Sequence, residues 1–164
     1  MLYKWGDIQM TELEKLENEA RNERIDIISY HFSSNRLKGL YCNNTIALSK
    51  KLKSNKERAC ILAEELGHYH TSYGNIINQN ITENRKQEQR ARIWSYDRLI
   101  GLHGIIKMCE SNCKSLHECA ELLDITEEFL IEALAFYRNK YGQSVKYNNY
   151  VIYFEPSLGI LKII

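Results

Sequence analysis

The order in which helical and strand patterns follow one another is the tightest constraint on how this chain can fold. Over 7–23 Leu13, Leu16 and Ala20 share one helical face among charged residues, and Thr11-x-x-Glu14 has capping-box form. Ile25 to Tyr30 alternates and is rich in β-formers, which predicts a strand. Leu37–Cys42 and Thr45–Ser49 flank Asn43-Asn44, two residues that tolerate positive φ, so a hairpin is expected there. A second capping box, Ser54-x-x-Glu57, opens a helix predicted to reach about Tyr73, with Gly74 as its stop. Further helices are expected over about 82–102, ending near Gly101 and Gly104, from Ser115 to a turn at Asp124-Ile125-Thr126, and from there to about Tyr141. Residues 145–155 and 158–163 read as two closing strands around Pro156. One helix, three short strands, four helices and two strands make an α+β chain with a small, mostly antiparallel sheet, and exclude the repeated βαβ of Rossmann and barrel folds.

Pro156 is the single proline, and no Gly/Ser linker or low-complexity tract marks a flexible boundary. One structural domain is therefore expected, with a core over 1–104 and a helical segment plus C-terminal hairpin over 105–164 packed against it. Basic and acidic residues nearly cancel, 22 against 21, which argues against a dedicated nucleic-acid binder. A hydrophobic fraction of 44 % excludes wholesale disorder. Nothing approaches the roughly 18 apolar residues of a membrane span. Met1 to Asp7 lacks an apolar core for a signal peptide, so a cytoplasmic location is expected. Cys42, Cys60, Cys109, Cys113 and Cys119 are odd in number and dispersed, as reduced packing residues are. His117 lies among the last three, but the C-x3-C-x5-C spacing lacks the paired half of a structural zinc site.

The chemically informative stretch is Ala59 to His70. On a helix, Glu64 and His68 stand at i and i+4 on one face, with Glu65 between them. This is the geometry of H-E-x-x-H, in which two side chains one turn apart hold a metal and the intervening Glu activates water, with Glu64 in the first position. Ala59, Leu62, Ala63 and Leu66 form the opposite, core-facing stripe. Gly67 in mid-helix costs about 1 kcal/mol relative to Ala, a cost explained if another backbone approaches closely there. Glu88 is the best candidate for a third ligand. It falls on a stripe with Ala91, Ser95, Leu99 and Leu102, at the end of what reads as an inward face. Pairing of Glu88 with Arg85, Arg90 or Arg92 is the alternative.

Glu64-Glu65-Leu66-Gly67-His68-Tyr69 followed by Glu88-Gln89-Arg90-Ala91-Arg92-Ile93-Trp94 resembles the ImmA/IrrE family of metallopeptidases, in particular its phage and prophage members. The hairpin before the first motif and the ending Asn149 to Pro156 extend that likeness over nearly the whole chain. The resemblance implies a zincin-like fold, a zinc ion, and cleavage or other inactivation of a phage-type helix-turn-helix repressor in the cytoplasm of a bacterial host. Carried over by position, Glu65 is the general base, His68 a metal ligand and Glu88 the distal carboxylate ligand. The family's first ligand is His, and here it is Glu64. Two carboxylates and one imidazole cancel the charge of a dication, which acidifies bound water less and moves preference toward Mn2+ or Mg2+. Two functions therefore stand side by side: a metallo-endopeptidase, and an antirepressor that binds its partner without cutting. His70 could replace the missing imidazole only if the helix unwinds, and Tyr69, His70 and Tyr73 are candidate oxyanion donors.

Ser115 to Tyr137 has a helix–turn–helix cadence. Glu118, Glu121, Asp124, Glu127, Glu128 and Glu132 occur there without an intervening Lys or Arg, so direct DNA binding is not expected. A packing unit, or an acidic surface for a basic partner, is the reading that remains. Lys50, Lys51, Lys53, Lys56 and Arg58, and Arg85, Lys86, Arg90 and Arg92, form two basic patches read as solvated faces.

Overall fold

The structure is a computed structural model that describes residues 10–71 and 81–163. Among these, six helices and six strands make an α+β fold. Helix α1 (Glu12–Asn22) begins with a complete capping box: the Glu14 N–H donates to Thr11 Oγ1 at 3.2 Å, and the Thr11 N–H donates to Glu14 Oε2 at 2.7 Å. Its Leu13, Leu16 and Ala20 are buried. Strands β2 (Gly39–Cys42) and β3 (Thr45–Ser49) form the expected hairpin, with Asn43 and Asn44 both at positive φ. Strand β1 (Asp26–Tyr30) runs parallel to β3 on its other side, giving the order β1-β3-β2 with β2 at an edge.

Helix α2 (Asn55–Thr71) starts from Ser54, whose Oγ accepts the Glu57 N–H at 3.1 Å. Only half of that capping box forms, because the Glu57 carboxylate turns to the Lys53 N–H and to Lys38 Nζ instead. Helix α3 spans Ile81–Leu99 and stops where expected, just before Gly101, which takes φ +57. A further helix, α4 (Gly101–Glu110), follows from there. This helix is one more than the sequence pattern indicated. Helices α5 (Leu116–Leu123) and α6 (Glu127–Tyr141) carry Ser115 and Thr126 as N-caps, and the left-handed Asp124 turns the chain between them.

The C-terminal strands number three rather than two: β4 (Ser144–Tyr147), β5 (Tyr150–Tyr153) and β6 (Gly159–Lys162) form a separate antiparallel sheet. Asn148 at φ 52 makes the turn that divides the segment read as one strand. One cluster of buried residues runs from Leu13 through Leu62, Leu66 and Ile105 to Phe154 and joins the layers. Polar ties reinforce it. Arg98 Nε donates to Glu19 Oε2 at 2.7 Å, joining α3 to α1, and the Tyr137 hydroxyl donates to Asp97 Oδ1 at 2.8 Å, joining α6 to α3. No helix among the described residues is long and apolar enough to cross a membrane.

Candidate metal centre

Two glycines determine how closely the surrounding elements approach the E-E-x-x-H turn of α2. Gly67 lies against the backbone of Ala91, so that a Cβ on Gly67 would sit 2.9 Å from Ala91 Cα and closer still to its carbonyl oxygen. The close backbone approach inferred from a mid-helix glycine is thus a crossing of α2 over α3. Gly39, on the edge strand β2, lies over Glu65 in the same way: a Cβ there would meet Glu65 Oε1 at 2.5 Å. Behind these contacts Ala59, Leu62, Ala63 and Leu66 are fully buried, which fixes the rotation of α2 and directs Glu64 and His68 outward.

The crossing at Gly67 places the next residue, His68, opposite α3. Its Nε2 lies 3.6 Å from Glu88 Oε2. Glu64, His68 and Glu88 line one cavity of about 560 Å³, walled by β2 and by Arg36 and Lys38 in front of it. Glu65 forms its floor. Only 8 % of that residue is exposed. Burial, then the charges of Glu64 and Glu88, push its carboxyl up to about 8, against the pull of the Tyr41 backbone N–H.

Several expectations change on contact with this geometry. Glu88 does not end an inward stripe: Ala91, Ser95 and Leu99 are buried, but the Glu88 side chain is 61 % exposed at the cavity rim. Desolvation therefore does not demand a metal at Glu88; its proximity to His68 is the informative fact. Of the three arginines weighed as its partners, Arg92 pairs instead with Glu64, Nε to Oε1 at 3.1 Å. Spacing along α3 does not mark that pairing, because it depends on how α2 and α3 cross. Tyr69 and His70, two of the three candidate oxyanion donors, do not line this cavity. The Tyr69 hydroxyl donates to Glu23 at 3.1 Å. His70 stacks on Trp94 with ring centroids 4.6 Å apart and turns its Nε2 toward Glu19. Tyr73 lies outside the described residues. The cysteines are free thiols, and burial raises that of Cys60 to about 11.

The IrrE N-terminal-like domain of peptidase family M78 matches residues 17–135. The chain belongs to that family. Its matched span contains α2, α3 and every residue of the cavity floor and rim named above. No curated protein and no solved structure matches the chain. Family M78 comprises metallopeptidases, for which zinc is the general metal.

Whether this IrrE-like chain's donor set suits a metal is answered by its chemistry. One imidazole and two carboxylates converge on one cavity above a third, buried carboxyl; beyond burial, the charges of Glu64 and Glu88 raise Glu65, and that part a dication would relieve. His68 and Glu88 already face one another. Glu64 is turned to Arg92, and among the described residues no three His, Cys, Asp or Glu side chains stand together at metal-holding distance. The donor types fit a divalent cation, and Glu64 is the member engaged elsewhere.

Proposed function

We propose that the chain is a metal-dependent endopeptidase in which Glu64, His68 and Glu88 hold the cation and Glu65 moves the proton, with zinc as the expected metal and manganese as the alternative. The observation that carries this reading is the α2–α3 crossing at Gly67 and Ala91, which sets His68 3.6 Å from Glu88 above a buried Glu65. A divalent cation, when bound, supplies Lewis acidity to the scissile carbonyl and to water. The rest falls to the chain. Glu65 accepts a proton from the attacking water and returns it to the leaving amine. Burial is the larger cause of the raised Glu65 carboxyl and would persist, but a cation on Glu64 and Glu88 would offset their repulsion and make Glu65 a readier proton acceptor. Gly39 keeps β2 close enough to hold that carboxyl in place. Glu65→Gln should retain metal and lose cleavage; full activity in that variant removes Glu65 from the mechanism.

The substrate we assign is a helix-turn-helix repressor of a phage or mobile element in a bacterial cytoplasm. Two things support it: the chain's resemblance to phage-type members, and the acidic α5–α6 surface, where Glu118 and Glu128 are exposed and suited to a basic, DNA-binding partner. Incubating the metal-loaded chain with the repressor encoded beside it and weighing the products by mass spectrometry tests the assignment. Fragments of defined mass are expected. One observation favours a second reading: with Glu64 held by Arg92, the chain could act as an antirepressor by binding alone. An intact complex without fragments, in the presence of zinc or manganese, would select that reading.

A further inference from the structure

Arg92 is strung between two carboxylates on two different helices. Its Nε donates to Glu64 Oε1 on α2 at 3.1 Å, and its Nη1 lies 3.7 Å from Glu132 Oε2 on α6. The Glu132 carboxylate is itself anchored, accepting the Tyr96 hydroxyl at 3.0 Å. The Arg92 side chain is 52 % exposed and lines the site cavity together with the depressions on either side of it, so it has room to shift. Among the described residues, no other Lys or Arg forms an ion pair with Glu64, Glu65 or Glu88.

The charge balance gives this arrangement a meaning. A carboxylate in place of a neutral imidazole at position 64 adds one negative charge to the cavity, and Arg92 supplies one positive charge at that same carboxylate. A dication held by Glu64, His68 and Glu88 would stand beside the guanidinium, with both drawing on Glu64. At an effective dielectric of about 20, like charges that close repel by many times the thermal energy. We propose that Arg92 is the resident counter-cation of Glu64 and competes with the metal for it, moving onto Glu132 when the metal enters. The Glu64–Arg92–Glu132 chain then sets how tightly the site holds its metal. This rests on the reading of Glu64, His68 and Glu88 as the metal-holding set. Arg92 and Glu132 are positioning residues, acting through Glu64 without touching the cation.

The test is competitive titration of the metal-free, full-length chain with Zn2+ and Mn2+ against a chromophoric chelator, for wild type, Arg92→Gln, Glu132→Gln and His68→Ala. Arg92→Gln should bind metal at least about tenfold more tightly, since a repelling cation has gone and Glu64 is released. Glu132→Gln should bind several-fold more weakly, because the guanidinium has lost its second seat. A purely structural role for Arg92 would weaken binding in its variant, so tightening cannot come from disruption. Unchanged or weaker affinity in Arg92→Gln, or no measurable binding in either that variant or wild type, overturns the proposal. His68→Ala separates the two levels. Wild-type affinity in His68→Ala overturns the site itself. Loss of binding there, with Arg92→Gln unchanged, removes only the counter-cation.

Discussion

At the scale of single residues, Glu65 stands out as the one buried acidic side chain among the described residues. Its carboxyl, ordinarily ionised above about 4.5, is raised to about 8 by burial and then by Glu64 and Glu88. A group whose value is higher folded than unfolded binds more protons in the folded state. Its contribution is therefore intact below about 4.5 and lost as pH climbs to about 8. We expect the metal-free chain to lose stability between pH 5 and pH 8.5, by a few kcal/mol at most. In Glu65→Gln that slope should flatten, as chemical denaturation across the range would show. An undiminished slope would assign the pH dependence to other groups. Glu65 was legible in the sequence because its place in the motif is a matter of spacing. The pairing of Glu64 with Arg92 was not, because it depends on how two helices cross.

At the scale of elements, the crossing of α2 and α3 positions the chemistry. A methyl group on Gly67 would overlap the Ala91 backbone, and relief requires the helices to part. Gly67→Ala should cost about 1–3 kcal/mol, the usual range for overpacking. It should also weaken metal binding, since His68 would move away from Glu88. Urea denaturation and chelator competition measure the two effects separately; a variant unchanged in both would show that the contact is not restrictive. Elements fixed by local chemistry were readable in advance. The Thr11 box, the Asn43-Asn44 turn and the Ser115 and Thr126 starts all formed. The end of α3 at Gly101 was readable from its glycines, but the helix α4 that restarts there was not, nor was the break at the left-handed Asn148 between β4 and β5. The exposure of Glu88 was not readable for a related reason: helical periodicity identifies a stripe but not where the neighbouring layer ends, and the cavity rim begins at Glu88.

At the scale of the whole molecule, α3 joins the site to the remainder of the chain. Its middle turns carry Glu88 and Arg92. Its last turn is tied to α1 through Arg98 and to α6 through Asp97. Tyr137 is fully buried, and burial followed by its bond to Asp97 raises its hydroxyl well above the usual range. Removing that hydroxyl leaves a carboxylate short of a donor, so Tyr137→Phe should destabilise the chain by about 1–3 kcal/mol. Metal affinity should be spared, because the α2–α3 crossing lies elsewhere on the helix. Loss of affinity out of proportion to stability would show that the α6 side supports the site more directly.

The most direct test of the central claim is the metal content of the purified, untagged protein by elemental analysis, with His68→Ala and Glu88→Ala measured beside wild type. Near-stoichiometric zinc in wild type, lost in both variants, is the expected result. Wild type that takes up no metal after incubation with zinc or manganese, or variants that retain it fully, would contradict a centre built from Glu64, His68 and Glu88.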